Sequence, residues 1–441
     1  MASISAGIHN TLISIKDKLK SDDMTRHGLM MAGFGLFAGF LNYLYQFFMG
    51  TLLTPRQFGT LYTLLSLFSI ILVISQIYQN SVTKFTSRFR ALNYLGQMNS
   101  LWRFFLRRTA LIGAAAFAVL ALLSPLISKF LNIANNWYLI ILFSSFALAV
   151  VIAANYGILR GLQRFLALGL SQTIWASLRL AAGVVLVYLG FAIYGALLAL
   201  LISYLIVFVI TMFFLRDLSR TSKEKPDLSG LGSYTGFTFL AIASYSILTN
   251  ADAILAKHYL NPESAGNYAV ISLLGSVARF APAGVAMAMF PKTAELFEMG
   301  RRHSKLLMRA ILLTLIMVSV VVILYGLFPD FIINFFFGSK YPFVAPYLFE
   351  YGLAMLFFTL SWLLMNYFLS VNETKVAYPF MGVMLLQISL ICFFHSSIAQ
   401  IVNIFLISGI LSFVLILPFF WKMKKYPAKV GPNSTSGVSY S

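Results

Sequence analysis

The sequence predicts an all-α polytopic membrane protein with about 12 transmembrane helices in two parallel six-helix lobes, and three observations predict it. The 441 residues are 60% hydrophobic and only 10% charged, with 42 Phe and 22 Tyr and a mean hydropathy of +0.85, a composition outside the range of soluble globular domains. Apolar stretches of about 20 residues, the length that crosses a bilayer as a helix, follow one another almost end to end. They are continuous rather than alternating, so helices and not a closed barrel satisfy their backbone. Finally, a short motif after the first stretch returns after the seventh.

The spans fall at 28–50, 57–79, 109–131, 137–159, 166–189, 191–215, 234–258, 264–290, 310–334, 343–370, 376–396 and 398–421. The first two are separated by "LLTPRQFGTLY", and the second and third by a basic loop holding "YLGQMNSLWRFFLRR". Lys129 stands at the outer end of the third span, and Arg160 and Arg164 follow the fourth. Only the glycines of "VYLGFAIYG" part the fifth from the sixth. A charged linker over 216–233, "RDLSRTSKEKPDLSGLGS", ends the N-lobe (28–215) and precedes the C-lobe (234–421). There "YLNPESAGNYA" divides the seventh and eighth spans, "FEMGRRHSKLLMR" the eighth and ninth, and "HSSIAQ" the eleventh and twelfth. Residues 1–27 carry Ile4, Ile8, Leu12, Ile15 and Leu19 at helical spacing beside lysines, which predicts an amphipathic helix on the membrane surface. The tail over 422–441 is small and polar.

A net charge of +19 raises the question of nucleic acid until the 32 Lys and Arg are placed. On one side lie 26 of them, in the N-terminus, the loops after even-numbered spans and the tail; Arg56, Lys129, Lys257 and Lys340 lie on the other. That asymmetry follows the positive-inside rule and puts both termini in the cytoplasm of a cell whose cytoplasmic membrane holds the protein. Topology and contact with anionic membrane lipids account for the charge, with no nucleic acid. The single cysteine, Cys392, excludes an internal disulfide, and no residues have metal-ligand spacing, so neither metal nor cofactor is expected.

The repeated motif is a polar residue, Pro, three residues and Gly: Thr54, Pro55 and Gly59, then Asn261, Pro262 and Gly266, each offset by 207. The basic loops keep this register, with Gly96 matching Gly300. Two six-span halves have the same orientation and are related by an axis along the membrane normal, a transporter architecture with the substrate site between the halves. Pro282 and Gly284 in the eighth span mark a place where that helix can kink.

Charge inside the bilayer costs about 2.5–3.5 kcal/mol per residue on insertion scales and so points inward or to a wet cavity. Arg179, Asp252 and Arg279 are such residues, with Glu350 a shallower fourth. At ~1.5 Å per residue they lie ~15, ~9 and ~22 Å from the outer ends of their spans for the first three, which favours Asp252 pairing with Arg179 over Arg279. A structural ion pair or a snorkelling side chain is the alternative for each. None is duplicated by the repeat, and that favours function. Gln46, Asn155 and Asn250 are uncharged cavity candidates, although polar residues in spans more often join helices.

The stretch "TNADAILAKHYLNPESAGNYAVISLLGSVARFAPAGVAMAMFPKTAEL" resembles the polysaccharide biosynthesis flippases, the Wzx-like branch of the multidrug, oligosaccharidyl-lipid and polysaccharide exporter superfamily, of which O-antigen flippases are members. The resembling residues are Asp252, Pro262, Gly266, Tyr268, Phe290 and Pro291, with "LLTPRQFGTLYTLLSL" and "GILRGLQRF" as matching N-terminal segments. The resemblance implies translocation of a lipid-linked oligosaccharide, a polyprenyl (pyro)phosphate sugar, through a cavity between two lobes. Arg279 and Arg179 would then meet phosphate through the planar guanidinium fork. Asp252 would hold an arginine in place, or titrate to couple transport to a proton or sodium ion. Twelve spans argue against the related lipid II flippases, which carry fourteen. Polysaccharide-assembly enzymes are conceivable partners without a motif of their own here.

Two other functions compete. An ion-coupled multidrug or metabolite antiporter of the same superfamily should want acidic cavity residues, whereas one deep Asp stands against two Arg. A membrane polysaccharide polymerase would place catalytic groups in sizeable outer loops, and those here are a few residues long, with no paired carboxylates for acid–base work. The chain therefore reads as a transporter and not an enzyme.

Overall fold

The computed structural model describes residues 23–91, 95–218, 235–298, 304–371 and 373–424, all helix, turn or irregular chain without a strand. The segment 1–22, most of the linker and the end of the tail lie outside the described residues. The first half consists of α1 (Asp23–Leu52), α2 (Pro55–Ala91), α3 (Leu95–Phe130), α4 (Trp137–Gly161), α5 (Phe165–Leu186) and α6 (Ala192–Phe214). The second consists of α7 (Thr235–Leu248), α8 (Ala251–Tyr259), α9 (Pro262–Glu298), α10 (Ser304–Leu327), the short α11 (Pro329–Phe337), α12 (Leu348–Ser370), α13 (Ala377–Phe393) and α14 (Ile398–Lys424).

Among the described residues, eight helices are long and apolar enough to cross a membrane, or nine when the bent pair α7–α8 is one span. One of the eight, 165–214, is the α5–α6 hairpin. The chain reverses there through Gly190 (φ 93°), a left-handed conformation that costs glycine little. Gly195 seats against the Leu186 backbone, where an added Cβ would come within 2.9 Å. With α1 and α9, the described helices reproduce the twelve spans predicted from sequence.

Several predicted ends are too short. The second span was placed at 57–79 and the third at 109–131, but α2 continues to Ala91 and α3 begins at Leu95. Hydropathy marks only the part of a helix that needs lipid. Beyond it, Val82, Phe85 and Phe89 on α2 meet Met98, Leu101 and Phe105 on α3 at spacings of three and four, forming a second core with Ile158, Leu168 and Leu215. Next to this core Arg164 grips Asp217 through two bonds of 2.9 and 2.5 Å, which hold the carboxyl below its usual range.

The packing repeats as the motif does. In the first half α1 lies on α5, while α4 touches α2, α3 and α6; in the second α7 lies on α13, while α12 touches α9, α10 and α14. Across the halves α2 packs on α9, α7 and α8, and α1 on α9. We call the end carrying the two Pro–Gly motifs the motif face and the opposite end the basic face.

Gly59 and Gly266, equivalent in the repeat, meet each other at the motif face. A Cβ on Gly59 would fall 2.9 Å from the Gly266 nitrogen, and one on Gly266 only 2.2 Å from the Pro55 carbonyl oxygen. Equivalent residues touch only beside the axis that relates them, so this contact locates it. Two clasps flank the axis. The Asn132 amide donates to the His258 carbonyl at 2.8 Å, and the Lys340 ammonium donates to the Thr51 carbonyl at 2.8 Å. Thr51 and His258 are again 207 apart. Phe130 stacks on His258 with ring centroids 4.1 Å apart, while Phe337, its equivalent, lies against Gly50.

Substituting Gly266→Ala should therefore cost about 1–3 kcal/mol through overpacking against rigid backbone. Gly284→Ala, whose nearest neighbour would be a Leu36 methyl at 3.7 Å, should be neutral or stabilising; thermal unfolding of both variants in detergent checks the contrast.

Candidate functional site between the halves

The seventh span is broken. α7 and α8 meet at a bend of 40° across Thr249 and Asn250, whereas α9, which holds Pro282 and Gly284, is helical throughout Pro262–Glu298. Local polar side chains compete with the helical ladder at the break. Thr249 Oγ1 donates to the Tyr245 carbonyl at 3.0 Å and Asn250 Nδ2 to the Ser246 carbonyl at 2.8 Å. From α13, Gln387 Nε2 donates to the Leu248 carbonyl at 3.0 Å. That bond matters in lipid, where an orphaned carbonyl costs several kcal/mol.

Asp252 sits in the first turn of α8 with no exposed surface, where the positive end of a helix dipole favours a carboxylate. It pairs with no arginine. Its Oδ2 accepts from Tyr351 at 2.7 Å and from Tyr268 at 2.9 Å, while Oδ1 has no partner. The Tyr351 hydroxyl also bonds Ser272 Oγ at 2.8 Å, and Ser272 bonds the Tyr62 hydroxyl at 2.9 Å. Tyr62 belongs to α2, so one chain of buried hydrogen bonds runs from Asp252 into the other half.

On the basic-face side of this chain lies a cavity of about 370 Å³ between α2, α7, α9 and α12. Its polar lining among the described residues is Ser69 and Gln76 from α2, Ser246, Thr249 and Asn250 at the break, and Thr359 from α12, with Arg279 from α9 as the one charge among them and no carboxylate. Tyr245 and Trp362, 4.6 Å apart, form an aromatic wall, and Arg279 lies against Tyr245. On every helix the cavity residues follow the hydrogen-bonded ones toward the basic face: 69 and 76 after 62, 279 after 272, 359 and 362 after 351. The tyrosine chain thus floors the cavity.

Of the six candidate residues, Arg279 and Asn250 line this cavity and Asp252 lies under it. Arg179 is elsewhere, 7% exposed inside the first half, its guanidinium 4.0 Å from the Tyr45 ring and bonded to Asn42 Oδ1 at 2.8 Å. The pairing of Asp252 with Arg179 expected from their depths does not form, because depth along a helix does not fix the face a side chain takes. Asn155 accepts from Trp102 Nε1 and donates to Thr211 Oγ1, both at 2.9 Å, and so joins α3, α4 and α6. Gln46 is half-buried on α1 and does not line the cavity. Missing from the sequence reading are Tyr62, Ser272, Tyr351, Tyr245, Trp362 and Gln387. The available signal was that a tyrosine buried in a span needs a partner for its hydroxyl.

Fold and interlobe cavity together define a multi-span membrane protein of the transporter type. The chain belongs to the polysaccharide biosynthesis protein family, whose model matches residues 48–346. Among solved structures, it is similar to an inward-facing multidrug resistance MATE family transporter of the MOP superfamily (TM-score 0.74, 15% identity, 88% of this chain and 96% of that one). It is also similar to the eukaryotic MATE transporter AtDTX14 (0.68, 13%, 90% and 95%) and to a MOP superfamily transporter from Pyrococcus furiosus described as having reversed binding-pocket polarity (0.63, 15%, 91% and 96%). No curated protein sequence matches the chain.

The hydrogen bonds predict an order of stability. Asp252→Asn keeps an acceptor for the tyrosines while removing a buried charge, so its melting temperature in detergent should match or exceed that of the unsubstituted protein. Asp252→Leu leaves the Tyr268 hydroxyl unpartnered and Tyr351 with Ser272 alone, and should cost about 1–3 kcal/mol.

Proposed function

We propose that this protein is a flippase that carries a lipid-linked oligosaccharide, a polyprenyl (pyro)phosphate sugar, across the cytoplasmic membrane by alternating access for cell-surface polysaccharide synthesis. The observation that carries this reading is the Arg279 guanidinium in an interlobe cavity whose other described lining is hydroxyls, amides, aromatic rings and apolar side chains, without a carboxylate. An anionic phosphate fits the guanidinium, and sugar faces fit the hydroxyls and the Tyr245–Trp362 wall. The same lining disfavours amphipathic cations, the cargo of the antiporter reading. Membership of a polysaccharide biosynthesis family supports the sugar.

In this reading the lobes are 28–215 and 234–421, and both termini and the basic face are cytoplasmic. The clasped motif face is the closed outer gate, and the cavity loads from within. Asp252 serves as the coupling group, for a proton or sodium ion, because its hydrogen-bond chain ends on Tyr62 of the opposite half: a change of charge at Asp252 acts on the contact that must part when the lobes rock.

The test is flipping of a fluorescent polyprenyl-pyrophosphate oligosaccharide in proteoliposomes. Losing a charge-assisted bond of about 1.5–3 kcal/mol, Arg279→Ala should slow the initial rate about 10- to 100-fold. Asp252→Asn should fold and bind yet lose its response to an imposed ion gradient. Dye-cation efflux that depends on Asp252, with no lipid flipping across several glycans, would replace this reading with the antiporter.

A further inference from the structure

A second cavity, of about 360 Å³, opens at the motif face of the second half and shares no residue with the interlobe site. Four segments wall it: the end of α8 with its exit, the first turn of α9, the chain before α12 and the turn between α13 and α14. Tyr259, Phe343 and Tyr347 give it aromatic surface. Asn261, Ser264, His395 and Ser396 bring an amide, hydroxyls and an imidazole, and among the described residues no Lys, Arg, Asp or Glu lines it.

The walls are fixed from behind. Tyr259 stacks on His395 with ring centroids 3.8 Å apart, which ties α8 to the α13–α14 turn. His395 Nδ1 lies 3.1 Å from the Ile391 carbonyl. A carbonyl only accepts, so Nδ1 donates and the neutral ring keeps Nε2 as an acceptor. Asn261 Oδ1 accepts from the Ser264 nitrogen at 2.8 Å and caps α9. The Ser396 nitrogen donates to Gln400 Oε1 at 2.8 Å and the Gln400 nitrogen to Ser397 Oγ at 3.3 Å, reciprocal bonds that start α14. After these bonds the Asn261 amide N–H groups, the Ser264, Ser396 and Tyr347 hydroxyls and His395 Nε2 have no partner among the described residues.

The fold does not require this chemistry. The α5–α6 turn, which holds the same place in the first half, presents exposed Tyr188, Leu189 and Phe191, where the α13–α14 turn presents His395, Ser396 and Ser397.

We propose that this cavity is a binding site for an uncharged saccharide, with a ring face against Phe343 and Tyr347 and hydroxyls on the unpaired groups of Asn261, Ser264, His395 and Ser396. A sugar offers both surfaces, an apolar face of C–H bonds and a rim of hydroxyls that donate and accept. The lining answers each, with aromatic faces, an amide donor, an imidazole acceptor and hydroxyls that do either. Without a charged side chain it gives no strong hold to phosphate or ammonium. The volume falls within the ~300–1,000 Å³ of small-molecule pockets. The site stands apart from the transport cavity, and its test does not need the flippase reading.

In the experiment the full chain, in phosphatidylcholine nanodiscs, is titrated with lactose, maltose and N,N′-diacetylchitobiose, with binding followed by saturation-transfer difference NMR. At least one of the three should bind saturably. Phe343→Ala and Asn261→Asp should each weaken that binding about 2- to 10-fold, the effect of losing one stacking or hydrogen-bond contact. Both side chains are exposed, and Asn261→Asp keeps the oxygen that caps α9 while removing the free N–H donor, so both variants should melt as the parent does. Adding a polyprenyl-linked oligosaccharide to the nanodiscs separates two sources of such a ligand: it displaces the disaccharide where lipid-linked glycan reaches the site and leaves it where free glycan alone does. No binding of any of the three sugars, binding unchanged in both variants, or binding lost instead in Trp362→Ala of the interlobe cavity would each overturn the proposal.

Discussion

Backbone meets backbone where Gly59 faces Gly266, and the arrangement of the two halves turns on that contact. Neither residue carries a side chain to fill the gap, so α2 and α9 approach as closely as their main chains permit. Because the two glycines hold the same place in the repeat, the contact lies on the symmetry axis, and everything else at the motif face is placed around it. The Asn132 and Lys340 clasps sit on either side, each donating one side-chain N–H to a carbonyl four residues before a motif proline.

A bilayer does not forgive an unsatisfied polar group, and the site shows how that constraint was met. Breaking the seventh span frees carbonyls; Thr249, Asn250 and Gln387 supply donors or compete for them. The break creates a helix start in mid-span, and Asp252 occupies its first turn. From there the carboxylate takes two tyrosine hydroxyls rather than a cation. The result is a buried acid whose partners belong to α9 and α12 and, one bond further, to α2.

Much of the fold was legible in the sequence because hydropathy reads the membrane itself. The repeated Pro–Gly motif carried the two-half architecture. Helix ends were not legible where an amphipathic extension left lipid, as at Phe85 and Leu101, since their apolar spacing serves a small core and not the bilayer. At the site, polar residues in apolar spans singled out Arg279 and Asn250. The same criterion also selected Asn155 and Arg179, which join helices within the first half, because rarity marks a residue as constrained without saying by what. Tyr62 and Tyr351 were missed for the opposite reason: among 22 tyrosines, nothing distinguishes the two whose hydroxyls carry the chain.

The contact between equivalent glycines has a genealogical meaning. A homodimer of the first half alone would place Gly59 against its own copy and close with the same isologous geometry, and the second half could do likewise through Gly266. Such ancestors would have owned either two copies of Arg179 or two copies of Asp252 and Arg279, never the present mixture. Two halves in one chain are free to differ. Position 45 holds an aromatic ring over Arg179 where position 252, its equivalent, holds the acid. A single chain can hold Arg179 against an aromatic ring in one half and a buried acid at the equivalent place in the other, a difference closed to a symmetric dimer.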